Sequence, residues 1–190
     1  KIETKRMPVI LGPLASSSIF GAVVANADAE GIQRSRSFMM NRLGKKIASD
    51  VVTITDNPLI PRGLSSRGWD HEGVPSKPLV VVENGVLKSY LYSSYTAGKA
   101  GVASTGHGTR GGGATPSNVN PALGTMTGDE IIRSTKEGLY INMGGIIPNG
   151  TTGDASCSVD FGFKIDNGEP AYPMVNTIVG GNSHTKLAYI

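Results

Sequence analysis

The feature that most constrains this chain is an Asn-Gly corner, Asn84-Gly85, set between the apolar run Leu79-Val-Val-Val-Glu83 and Val86-Leu-Lys-Ser-Tyr-Leu-Tyr92. Both central residues of a type I′ turn need positive φ, which Asn and Gly tolerate best, so the flanking segments are steered into a β-hairpin. The same device recurs at Asn167-Gly168, between Val159-Asp-Phe-Gly-Phe-Lys-Ile165 and Glu169-Pro-Ala-Tyr-Pro-Met-Val175. Two such corners predict one β-rich body.

Length and composition narrow the class further. The 190 residues are enough for one large domain or two small ones. With 26 glycines and 11 prolines, and only 17% charged residues, the chain favours turns and strands over long helices. The expected class is α+β: a β-dominated domain of mixed and antiparallel sheet with two Asn-Gly hairpins and a few short helices.

The net charge of +3 is spread along the sequence, and the densest basic cluster is Lys1 to Arg6. A nucleic-acid surface gathers its Lys and Arg on one face with aromatics interleaved, and this chain does neither, so nucleic acid is not an expected partner. No apolar run is long enough to cross a membrane. The single Cys157 excludes an internal disulfide and fits a reducing compartment, hence a cytoplasmic location. The first residues carry neither an initiator Met nor a signal pattern, which reads as a piece of a longer protein.

The pattern along the chain predicts a strand over Met7–Leu11 and a small-residue helix from Leu14 to about Asp28, opened by Gly12-Pro13. Mixed signals over Ser35–Lys46 suggest a helical turn ending near Gly44, and β-branched Val51–Thr55 suggests a strand stopped by Asn57-Pro58. Arg62–Lys77 is a long polar loop, of the kind that is more often functional or interfacial than idle. A short helix follows the first hairpin, and Ala114–Thr125, rich in Asn and Pro, reads as an extended connector. Thr127-Gly-Asp-Glu130 has capping-box spacing ahead of a helix to about Lys136. Gly138–Met143 reads as a strand, and Cys157–Ile165 with Glu169–Gly180 as the second hairpin.

Residues able to do chemistry are few. His71, His107 and His184 are far apart in sequence, with no His-x-x-x-His pair to set two imidazoles on one helical face. No serine lies in a Gly-x-Ser-x-Gly elbow, so the sequence offers no catalytic residue of its own. Cys157 precedes an apolar strand and reads as a small buried hydrophobe. The most suggestive segment is Ser104-Thr-Gly-His-Gly-Thr-Arg-Gly-Gly-Gly113, a glycine loop that is not a phosphate-binding P-loop and reads as a flexible lining of a cleft. Within it Thr105, Gly106, His107 and Arg110 are the candidate substrate-binding residues.

The order of motifs resembles a known family. Asp70-x-Glu72-Gly-Val-Pro75, Val82-x-Asn84-Gly85-x-Leu87-x-x-Tyr90-Leu, Ser94-Tyr-x-Ala97, Ser104-Thr-Gly-His107, Gly153-Asp154, Asn167-Gly168-Glu169, Tyr172-Pro173 and Ile178-x-Gly180-x-Asn182 look like the C-terminal half of the TldD/TldE (PmbA) proteins. In that family TldD subunits carry a His-Glu-x-x-x-His zinc motif on the helix after the opening strand, and a metal-binding Cys near the C-terminus. Here that helix reads Leu11-Gly-Pro-Leu-Ala-Ser-Ser-Ser-Ile19, and Cys157 stands at a different place. The chain is therefore similar to TldE, the metal-free partner.

The resemblance implies a non-catalytic subunit of a zinc metalloprotease that processes flexible peptides. No cofactor is expected in this chain; zinc is expected in a TldD-like partner, and pairing is either with that subunit or as a homodimer. The alternative is a stand-alone binding or regulatory protein, as the family's label "modulator of DNA gyrase" suggests.

Overall fold

The structure, a computed structural model, describes residues 4–182. His184 and the first residues of the basic cluster, Lys1 to Glu3, lie outside the described residues. The described strands and four short helices make an α+β fold with mixed and antiparallel sheets, as the sequence predicts. The chain divides into two compact units. The two Asn-Gly hairpins belong to different sheets, one in each unit.

The first unit takes, among the described residues, 4–19, 123–148 and 154–182. Its main sheet has β1 (Val9–Leu11) parallel to β6 (Glu137–Met143), and β6 continues antiparallel into β8 (Phe161–Asp166) and β9 (Glu169–Met174). A second antiparallel pair joins β7 (Asp154–Val159) to β10 (Thr177–Asn182). Successive side chains of a strand alternate between faces, so Leu139 and Ile141 of β6 point together into a core with Ala15, Val159 and Met174. Burying each such aliphatic side chain contributes about 2 kcal/mol. The long segments expected over Cys157–Ile165 and Glu169–Gly180 are each broken in two. Asp160 interrupts β7 and β8, and the Val175–Asn176 corner, with Asn176 at φ 53°, separates β9 from β10.

The second unit takes, among the described residues, 20–122 and 149–153. Its antiparallel sheet runs β4 (Val86–Leu87), β3 (Leu79–Glu83), β2 (Ile54–Asp56), β5 (Val119–Pro121). Val81, Val82, Leu87, Leu91 and Ile54 are fully or almost fully buried there. Asn84 and Gly85 take φ of 48° and 76°, the positive pair that a type I′ corner demands.

The helices are α1 (Pro13–Ala25), α2 (Ala29–Gln33), α3 (Ser94–Ala100) and α4 (Gly128–Ser134). Pro13 opens α1 where its missing N–H is harmless. Thr127 and Glu130 form the expected capping box on α4, and Ser93 and Thr96 form another on α3. Three local expectations are corrected. Residues 35–46 form turns without a helix, with Ser35 and Asn41 at positive φ. The strand expected at Val51–Thr55 begins only at Ile54, because Val51 sits in an exposed turn. Within the 114–125 connector, Val119–Pro121 pairs with β2 as an edge strand, where a proline lacks no needed ladder bond.

Candidate functional site

The glycine loop is anchored by hydrogen bonds at its base and at Gly112, where its composition suggested a flexible lining. It begins where the Tyr92 carbonyl accepts the Ser104 hydroxyl at 3.1 Å and the Thr105 backbone N–H at 3.2 Å. Gly106 follows at φ +74°, with the Pro75 carbonyl 2.6 Å from where a Cβ would stand, so no other residue fits without displacing backbone. The Gly108 N–H donates to Asp70 Oδ2 at 2.8 Å, and the Ala114 N–H donates to Asp28 Oδ1 at 2.8 Å. Ser93 Oγ donates to the Gly112 carbonyl at 2.6 Å. At the tip, Thr109 and Gly113 close a short turn through a 2.9 Å backbone bond.

Each anchor is itself fixed by local chain geometry. Asp70 accepts the Glu72 and Val74 N–H groups at 2.9 Å on its other oxygen, an Asx turn made by the Asp-x-Glu-Gly motif. Asp28 caps α2 through the N–H groups of Glu30 and Gly31. Ser93 caps α3, and Glu72 accepts the Ser94 N–H at 2.7 Å. The long loop before the first hairpin thus supplies one of three anchors, Asp70, beside Asp28 and Ser93.

His107 lies at the base of that loop with no solvent exposure. Its Nε2 is 2.7 Å from Asp56 Oδ2, and its Nδ1 is 2.9 Å from the Thr105 carbonyl oxygen and 3.0 Å from Thr105 Oγ1. Asp56, the last residue of β2, is also fully buried and accepts the Ser117 N–H at 2.9 Å and the Ser117 hydroxyl at 2.7 Å. Burial alone would raise the Asp56 carboxyl. The hydrogen bonds from His107 and Ser117 outweigh it and hold the group below its ordinary range.

Of the four residues predicted to meet a substrate, only Arg110 is exposed, at the loop's tip. Thr105, Gly106 and His107 are buried and their polar groups are engaged within the chain. Arg110 alone of the four thus faces solvent, while the other three are packed at the loop's base. Sequence reading missed Asp28, Asp56, Asp70 and Ser93 as its supports, because they lie in four separate stretches that only the fold brings together.

A second region is the start of α1. The hydroxyls of Ser16, Ser17 and Ser18 donate to the carbonyls of Pro13, Leu14 and Ala15 at 3.1, 2.8 and 2.7 Å, and so turn back on their own helix. Beside it, in the first unit, runs an open groove of about 370 Å³ lined by Ile10, Gly12, Pro13, Ser16, Asp129 and Tyr140. Among the described residues no three His, Cys, Asp or Glu side chains stand close enough to hold a metal ion. Cys157 is buried in the first unit, and burial together with the charge of Asp160 pushes its thiol up. No described helix is long and apolar enough to cross a membrane.

Residues 4–190 match the PmbA/TldA metallopeptidase C-terminal domain. The chain is 34% identical to a metalloprotease PmbA homolog of Haemophilus influenzae over 98% of its own length and 41% of the relative's. It is 32% identical to a metalloprotease TldD homolog of Buchnera aphidicola, over 92% of this chain and 38% of that one. Among solved structures it superposes with TM-score 0.93 and 31% identity on a Thermotoga maritima protein labelled a modulator of a DNA gyrase, covering 100% of this chain and 44% of that one. TldE from Thermococcus kodakarensis follows with TM-score 0.82 and 28% identity, over 96% and 43%. The chain spans about two-fifths of the length of the curated relatives it matches.

Proposed function

Because the chain belongs to the PmbA/TldD metallopeptidase family, we propose that it acts as the metal-poor, TldE-like subunit of a peptidase assembly. A TldD-like partner brings the zinc and cuts flexible peptides. The observation that carries this reading is the helix after the opening strand. Over Pro13–Ala25 it holds no His, Asp, Glu or Cys, and its three serines are turned onto their own carbonyls. Zinc catalysis needs about three protein ligands and an open fourth position, and this helix supplies no ligand.

The subunit's part is to present backbone and charge. β1 is an edge strand whose ladder to β6 uses the Pro8 carbonyl and the Gly12 N–H, which leaves Val9 and Leu11 with their peptide groups on the outer side. An extended peptide adds to such an edge through main-chain hydrogen bonds with little sequence preference. Arg110 supplies a cation for a carboxylate or carbonyl of the peptide or of the partner subunit.

Mixing tests the reading. The protein and a TldD-like subunit are purified separately, then assayed alone and together on an unstructured fluorogenic peptide. Cleavage confined to the TldD-like subunit and its mixture, and faster in the mixture, is the expected result. Cleavage by this protein alone after zinc addition overturns it.

A further inference from the structure

We propose that His107 and Asp56 form a buried charged pair, imidazolium on carboxylate, that locks the base of the glycine loop and so positions Arg110. Hydrogen-bond chemistry at the two ring nitrogens carries the inference. Nδ1 faces the Thr105 carbonyl oxygen at 2.9 Å, and a carbonyl can only accept, so Nδ1 carries a proton. Nε2 faces Asp56 Oδ2 at 2.7 Å, and that oxygen already accepts both the N–H and the hydroxyl of Ser117. A carboxyl surrounded by donors is an ionised acceptor, so the proton on this contact belongs to Nε2. With both nitrogens protonated, the ring is an imidazolium.

The competing arrangement fails on the same distances. If the Thr105 hydroxyl turned its proton onto Nδ1, the ring's lone pair would point at the Thr105 carbonyl 2.9 Å away. That hydroxyl is moreover placed to donate to the Tyr92 carbonyl at 3.2 Å while it accepts the Tyr92 N–H at 2.8 Å. A neutral ring on ionised Asp56 would also leave a net negative charge with no solvent contact, whereas the charged pair sums to zero.

The surroundings agree. Asp70 reaches the next residue, Gly108, through its N–H, and Arg67 reaches the Thr115 carbonyl at 3.2 Å through Nη2. Thr115 in turn donates its N–H to the His107 carbonyl at 2.9 Å. The ion pair is thus bonded into both arms of the loop that carries Arg110. The inference concerns what holds Arg110, and its first readout is independent of whether any peptide binds.

The test is nuclear magnetic resonance of protein labelled with ¹⁵N-histidine, with His71→Gln and His184→Gln leaving His107 as the one imidazole of residues 1–190. At neutral pH both ring nitrogens are expected in the protonated range, each with a directly bonded proton. One unprotonated ring nitrogen overturns the proposal. The Asp56→Asn variant supplies the second arm, because an amide brings no negative charge to balance a buried imidazolium; the spectrum is expected to switch to a neutral ring. Trypsin cleavage after Arg110 is expected roughly tenfold faster in that variant, as the loop opens locally. An unchanged ring spectrum and an unchanged cleavage rate in a folded variant overturn the lock, and if the variant fails to fold the wild-type spectrum alone decides.

Discussion

At the scale of single residues, the molecule uses carboxylates as backbone clamps. Asp28, Asp56 and Asp70 each accept two or more donors, at least one of them from residues 108–117. Gly106 is where this clamping leaves no room. Gly106→Ala adds a methyl against the Pro75 carbonyl at a positive φ, and a destabilisation of about 2–4 kcal/mol is expected in urea unfolding. A loss below about 0.5 kcal/mol would mean the loop relaxes freely. Glu137 shows the same logic at the surface. Hydrogen bonds from Lys5 at 2.6 Å and Lys164 at 2.9 Å hold its carboxyl down to about 2. A depressed carboxyl favours the folded state when ionised, so this contribution is complete above about pH 4.5 and is lost as pH falls toward 2. Carboxyl titration by nuclear magnetic resonance checks it; an inflection near the ordinary Glu value contradicts the two-lysine contact.

At the scale of elements, Ser93 joins two structures, since its hydroxyl caps α3 and also donates to the Gly112 carbonyl. Ser93→Ala removes both, and a loss of about 2 kcal/mol is expected, against about 1 kcal/mol for Thr127→Ala, whose cap on α4 reaches no second partner outside its own box. Comparing the two unfolding midpoints measures the difference. Equal losses would mean that the Gly112 bond contributes nothing. This is also the scale at which the sequence is most legible. The Asn-Gly corners, the Pro13 helix start and the Thr127/Glu130 box are local signals whose geometry follows from two to four residues. β5 is not legible, because Val119–Pro121 looks like a connector until β2 offers it a partner. The break at Asp160 and the onset of β2 at Ile54 are likewise set by pairing with distant strands. His107 was visible as the unusual histidine in a glycine loop, yet its burial depends on Asp56, 51 residues away.

At the scale of the whole molecule, the division into two units places the loop site in one and the α1 start, groove and Cys157 in the other. The core of the first unit draws Ala15, Leu139, Ile141, Val159 and Met174 from that unit alone, so a substitution there is expected to leave the second unit's local protection against hydrogen exchange largely intact. Ile141→Ala, which empties part of the first core, should cost about 2–5 kcal/mol and leave amides of β2 and β3 protected. Loss of protection throughout would make the two units one cooperative body. Membership of a metallopeptidase family sits beside a helix with no ligand for a metal, a combination that the proposed TldE-like role reconciles by leaving the metal to another subunit. The most direct test is elemental mass spectrometry of zinc and iron in the protein purified alone. Less than about a tenth of a metal ion per chain is expected. Near-stoichiometric metal would contradict it and require ligands from side chains that here serve as clamps.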